Sequence, residues 1–113
     1  MNATEGDSSI NLSCNAADVG HEVVKEVDWR YSSDATEVDF IFLSGGNKGV
    51  HYRPLKHVLD TSDNTTLIIN YIRVADTGLY TCVEDYGLGC QHLHHLTVWP
   101  QCQIYSLTSW ILE

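Results

Sequence analysis

The chain has 113 residues, enough for one domain around a single core. Its 43 % hydrophobic and 19 % charged content is the ordinary balance of a globular domain. A formal net charge of −9 argues against a nucleic-acid binder, which needs a basic stripe for phosphates, and against docking on anionic lipid.

In chain order, "SINLSC" (9–14) alternates, setting Ile10, Leu12 and Cys14 on one face and Asn11 on the other. "VDWRY" (27–31) turns Val27, Trp29 and Tyr31 inward, and "VDFIFLS" (38–44) is a further strand ended by the turn composition "GGNKG". "VHYRPL" (50–55) leaves that turn as an edge-like strand, because Pro54 cannot donate to a ladder. "TTLIIN" (65–70) puts Leu67 and Ile69 inward, and Ile72 follows. "GLYTCVED" (78–85) points Tyr80 and Cys82 inward, "YGLG" (86–89) is a hairpin turn, and "HLHHLTV" (92–98) is the last strand. There Leu93, Leu96 and Val98 break the alternation once, so a bulge is expected near His94 or His95. About eight short strands and no helix make an all-β fold, an antiparallel sandwich or barrel.

The four cysteines are Cys14, Cys82, Cys90 and Cys102, with no CxxC pair among them. Their even number suggests disulfides and an oxidising compartment. Three N-glycosylation sequons, at Asn2, Asn11 and Asn64, agree with a secreted or surface protein. The residues from Met1 are not expected to be a leader, and the sequence contains no run of about 18 apolar residues. Met1 is therefore expected to be an artificial start. The domain is expected over 1–99, with 100–113, including "SLTSWILE", as a stalk or appended tail.

Cys14, the tryptophan Trp29 fifteen residues later, "TTLIIN", and "DTGLYTC" with Tyr80 two places before Cys82 together resemble a variable-type (V-set) domain of the immunoglobulin superfamily. The resemblance spans residues 3–99, and the additional "FIFLSGGNKGVHY" hairpin favours the variable type. It implies an immunoglobulin-like V-type antiparallel sandwich whose two sheets are joined by a Cys14–Cys82 disulfide. Closing that loop stabilises by roughly 4 kcal/mol in the chain-entropy account. It implies a core of Trp29, Tyr80, Leu67, Ile69 and Ile72, with the Tyr80 hydroxyl bonding back to upstream backbone and Gly78 permitting a close approach at the corner. Asp76 is expected to pair with Arg53 or Lys56. Three features depart from the pattern. The first strand is nearly absent, the F–G loop is short, and the Phe-Gly-x-Gly of rearranged receptors survives only as Tyr86-Gly87-Leu88-Gly89. An invariant receptor, similar to T-cell co-receptor and co-stimulatory ectodomains, is the implied relative.

In such receptors the outward face of the sheet bearing Trp29 and Tyr80 usually binds protein. Here that face is expected to carry Asp28, Arg30, Thr81, Val83, Asp85 and His92. The implied function is extracellular recognition of a protein ligand on a cell surface, in immune co-receptor or co-stimulatory signalling. The parent would be membrane-anchored, with the domain on the outer side of the plasma membrane or in a secreted form. Homophilic adhesion and reception of a soluble or pathogen ligand are the rival readings. Cys90 and Cys102 either bridge within the chain or link two chains in a homo- or heterodimer. The strand from His92 to Val98 spans about 20 Å, whereas bridged Cα atoms lie within about 7 Å, so an internal bridge needs the chain to double back at Trp99-Pro100. His92, His94 and His95 offer metal-type ligands, but a third ligand at good geometry is not evident and structural zinc takes four. No metal and no cofactor are therefore expected. Nor is catalysis, since the chain has no nucleophile elbow, His-Glu-x-x-His or phosphate loop.

Overall fold

The computed structural model describes residues 1–14, 27–33, 37–43, 46–62, 65–84 and 91–101. Alternating segments become strands: β1 (Asn2–Thr4), β2 (Ser9–Leu12), β3 (Val27–Ser32), β4 (Asp39–Leu43), β5 (Asn47–Lys48), β6 (His57–Leu59), β7 (Leu67–Asn70), β8 (Gly78–Glu84) and β9 (Gln91–Trp99). They form a six-stranded sheet in the order β1-β9-β8-β3-β4-β5 and a three-stranded sheet in the order β2-β7-β6. Among the described residues, every pairing is antiparallel except β1 with β9. The fold is an all-β sandwich.

The inward residues of both sheets meet in one core. Trp29, Tyr80, Leu67, Ile69 and Ile72 are each at most 1 % exposed, as are Leu12 and Ile41. Fully burying a large apolar side chain contributes about 1.5–3 kcal/mol, so this shared interior holds the layers together. The Cys14–Cys82 disulfide crosses it, from just after β2 to the middle of β8, with Cα atoms 5.8 Å apart. Trp29 lies opposite Cys82 in the ladder, and its indole N–H donates to the Thr65 carbonyl at 2.8 Å.

Four local expectations change. The first strand, expected to be nearly absent, is present in three residues, and the Thr97 amide donates to the Met1 carbonyl just before it. "VHYRPL" is not a strand. The chain turns there, with Tyr52 N–H donating to the Gly49 carbonyl and both Lys56 and His57 N–H to that of Arg53. Pro54 and Leu55, the latter at φ 69°, do not fit a ladder, so β6 begins only at His57. β9 has no bulge: its pairing with β8 runs without a shift from Gly78↔Leu96 to Val83↔Gln91. The irregularity falls instead between β3 and β4, where Trp29 opposes Phe42 but Arg30 opposes Phe40, leaving Ile41 as an extra buried residue. Finally, Val74–Asp76 forms a short 3-10 turn where no helix was expected. "YGLG", Asn64, Asp85, Cys90, Cys102 and the tail from 102 onward lie outside the described residues.

Candidate partner-binding face

Opposed residues of an antiparallel pair share a face, so the ladders define the outer face of the large sheet row by row. One row runs Phe40–Arg30–Thr81–Leu93 across β4, β3, β8 and β9. Beside it lie Asp28–Val83–Gln91 on one side and Ser32–Leu79–His95 on the other. The Arg30 guanidinium stands 5.2 Å over the Phe40 ring and 3.9 Å from the Asp28 carboxylate. Leu93 and Trp99 are both 56 % exposed. The Trp99 indole N–H donates to the Asn2 amide oxygen at 3.2 Å. Ser32, Thr77, Leu79, His95 and Thr97 line a recess of about 270 Å³ at one end of the face.

Asp28, Arg30, Thr81 and Val83 therefore share the face expected of them, but not its exposure. Val83 is 1 % exposed and Asp28 9 %, so of these four only Arg30 and Thr81 are partly open to solvent. His92 is a correction. The straight register opposes it to Cys82, on the inner face, where its Nε2 lies 2.6 Å from a Glu84 carboxylate oxygen. His94 also points inward, its ring 5.9 Å from Trp29 and its Nε2–H donating to the Ser13 carbonyl at 2.7 Å. The same register turns Leu93 outward onto the open face, away from the buried Leu96 and Val98. Asn2 and Asn11 are both exposed.

The corner beneath this sheet is fixed by polar contacts. The Tyr80 hydroxyl donates to the Asp76 carbonyl at 2.7 Å, and burial pushes the Tyr80 phenol well above its usual range. The carboxylate of Asp76 pairs with Lys56 Nζ at 2.8 Å and accepts the Arg73 amide at 2.8 Å. Arg53 is not the partner. Its guanidinium donates to the carbonyls of Val50 and Tyr52, holding its own turn. Gly78 is needed here, because a Cβ on it would lie 2.6 Å from the Tyr31 ring and 2.7 Å from the Ser32 carbonyl oxygen.

A second cluster escaped sequence reasoning. His57, 2 % exposed, packs beside His51 and Tyr52, and His51 stacks on Tyr31 with centroids 4.3 Å apart. His57 Nδ1 accepts the Arg53 amide at 2.9 Å, which places the proton of the neutral ring on Nε2, a buried atom with no hydrogen-bond partner among the described residues. Burial, then the neighbouring His51 and Lys56, pushes its pKa down to about 4. The alternation of His57 with Leu59 in "HVL" was the available signal.

No protein-family model matches the chain, and no curated protein matches it in sequence.

Proposed function

We infer that the chain is the extracellular recognition domain of a membrane receptor, built as a V-type immunoglobulin sandwich. Support for the V-type reading comes from several features together. They are the three-strand and six-strand partition, β1 parallel to β9, the cross-sheet disulfide against Trp29, and the Tyr80 hydroxyl on the Asp76 carbonyl. The domain binds a protein ligand through the outer face of the large sheet, in co-receptor or co-stimulatory signalling, on the outer side of the plasma membrane.

One observation carries the binding reading: Phe40, Arg30, Thr81 and Leu93 lie in register across four adjacent strands, and Leu93 is open to solvent. Four strands span about 14 Å. A row mixing apolar, hydroxyl and guanidinium groups on a rigid sheet suits the centre of a protein interface, where arginine and aromatic groups are enriched. The net charge of −9 favours a partner with a basic patch, chiefly by speeding encounter.

The test is to tetramerise the oxidised domain and titrate it against an array of recombinant cell-surface ectodomains. A heterologous ectodomain bound by the native domain and lost on Leu93→Glu supports the reading. Binding to no ectodomain, or binding indifferent to both Leu93→Glu and Thr81→Arg, overturns it. Binding only to its own copies replaces it with homophilic adhesion.

A further inference from the structure

Ligand-type atoms converge at one end of the core. Glu84 closes β8, His92 is the second residue of β9, and Cys14 follows β2 in the facing sheet. Among the described residues, the Cys14 sulfur, a Glu84 carboxylate oxygen and a His92 ring nitrogen all lie within 4.8 Å of one another. Cys14 and Glu84 are buried and His92 is half-buried. Cys82 adds a fourth donor. It is bonded to Cys14, opposes His92 in the ladder, and sits two residues before Glu84 on the same inward face.

With the bridge closed, both sulfurs are neutral and already bonded to each other. The carboxylate and imidazole that remain are too few to hold zinc. Reduction changes the donor set. A dithiol reductant gives two hydrogens to the Cys14–Cys82 bond and becomes a cyclic disulfide, and the protein gains two thiols. A divalent ion then displaces the two thiol protons. Two thiolates, one imidazole and one carboxylate make a tetrahedral set of the kind zinc takes. Ligands about 2.0–2.1 Å from zinc stand roughly 3.3 Å apart, so the Glu84–His92 contact of 2.6 Å opens by less than about 1 Å. Rigid strands hold three of the four residues in place.

We propose that reduction of the Cys14–Cys82 bridge converts this spot into a zinc-class metal site formed by Cys14, Cys82, Glu84 and His92. Disulfide and metal are then mutually exclusive states of one place in the core, and the bound ion shields both thiolates from reoxidation.

The experiment titrates the oxidised and the dithiol-reduced protein with Co²⁺ under anaerobic conditions, then displaces it with Zn²⁺. The reduced protein is expected to bind one equivalent, with a thiolate-to-cobalt charge-transfer band and tetrahedral ligand-field bands, and the oxidised protein to show neither. His92→Gln and Glu84→Gln are each expected to weaken binding tenfold or more. Circular dichroism covers the case in which the reduced chain unfolds: Zn²⁺ then restores the β signal in the native sequence and not in His92→Gln. Reoxidation followed by thiol counting is expected to slow at least tenfold with Zn²⁺ present. The proposal is overturned if the reduced protein shows neither a charge-transfer band nor a zinc-dependent gain of β structure. Equal binding by the native sequence and both variants overturns it too.

Discussion

The ammonium of Lys56 sits 2.8 Å from the carboxylate of Asp76, and it also donates to the carbonyls of Asn70 and Tyr71, at 3.2 and 2.8 Å. The two side chains are only 19 % and 9 % exposed, so this is not a screened surface pair. Lys56 thereby ties the turn before β6 to the end of β7 and to the 3-10 turn under β8. Lys56→Met leaves a largely buried carboxylate and two carbonyls without their cation. It is expected to cost ~2 kcal/mol and to lower the melting temperature by about 10 °C. Arg53→Ala, which loses only exposed bonds within its own turn, is expected to stay within about 0.5 kcal/mol of the native protein. Urea denaturation of both variants checks the assignment, and equal losses would count against it.

Tyr80 supplies a second tie to the same residue, through the Asp76 carbonyl rather than its carboxylate. Tyr80→Phe keeps the ring in the core but leaves that carbonyl buried and unpaired, a loss of ~1–2 kcal/mol. Tyr31→Phe removes a bond to the Thr77 carbonyl in a less buried setting and is expected to cost less, ~1 kcal/mol or under. Chemical denaturation of the pair reads out the ranking.

Much of this frame is written in the period-two pattern of the sequence. Leu12, Trp29, Leu67, Ile69, Tyr80 and Cys82 face inward because alternate residues of a strand must, and their apolar character announces it. The pattern misleads where an inward position is polar yet satisfied. His92 and His94 occupy core-facing places in β9 because Glu84 and the Ser13 carbonyl receive them, contacts that only the fold brings together. Read by hydropathy alone, two histidines flanking Leu93 look like an outer face, and a bulge is then needed to bring Leu96 and Val98 back in. His57 was hidden for the same reason. Its hydrogen-bond partner is local, but its burial depends on His51 and Tyr52, in a turn that the sequence suggests is a strand.

His57 also gives the domain a pH dependence of definite sign. Its native pKa is about 4, against 6.5 for the free side chain. Between those values the unfolded chain takes up a proton that the native state refuses, so stability falls as pH drops from 6.5 to 4. The full loss is about 3 kcal/mol, at 1.36 kcal/mol per pKa unit. His51, whose pKa is also lowered by burial and by Arg53, acts in the same direction. His57→Asn keeps an oxygen near the position of Nδ1 for the Arg53 amide but cannot titrate. Its denaturation midpoint is expected to vary much less over that pH range than the native protein's. Parallel pH profiles for the two proteins would rule out His57 as the source.

Close backbone approach sets a different constraint at Gly49. A Cβ there would lie 2.2 Å from the Phe40 carbonyl oxygen and 2.6 Å from the Phe40 carbonyl carbon, so the clash is with backbone that cannot rotate away. The Gly49 amide donates to the Ile41 carbonyl and the His51 amide to that of Phe40, which press the segment against β4. Gly49→Ala is expected to destabilise by ~3 kcal/mol or more, through displacement of this edge of the large sheet. Gly6→Ala is the control. It has positive φ, at 97°, but nothing within 4 Å of the added carbon, so only the ~1 kcal/mol conformational penalty applies. Thermal melts of the two variants separate crowding from backbone strain.

Leu93 separates stability from recognition. At 56 % exposure on a straight β9, it contributes little to the core, and Leu93→Glu is expected to change folding stability by no more than about 0.5 kcal/mol. If the row it shares with Thr81, Arg30 and Phe40 is the centre of an interface, the same substitution buries a charge against the partner and weakens binding by at least about tenfold, or ~1.4 kcal/mol. Val83→Thr gives the opposite profile. That side chain is 1 % exposed on the same side of the sheet, so a buried hydroxyl should lower stability by ~1–2 kcal/mol while affecting binding less than Leu93→Glu does. Measuring both variants by melting and by titration against a bound ectodomain distinguishes a docking surface from a packed one. A Leu93→Glu protein that melts much earlier than the native domain would return Leu93 to the core and restore the bulge that the straight ladder excludes.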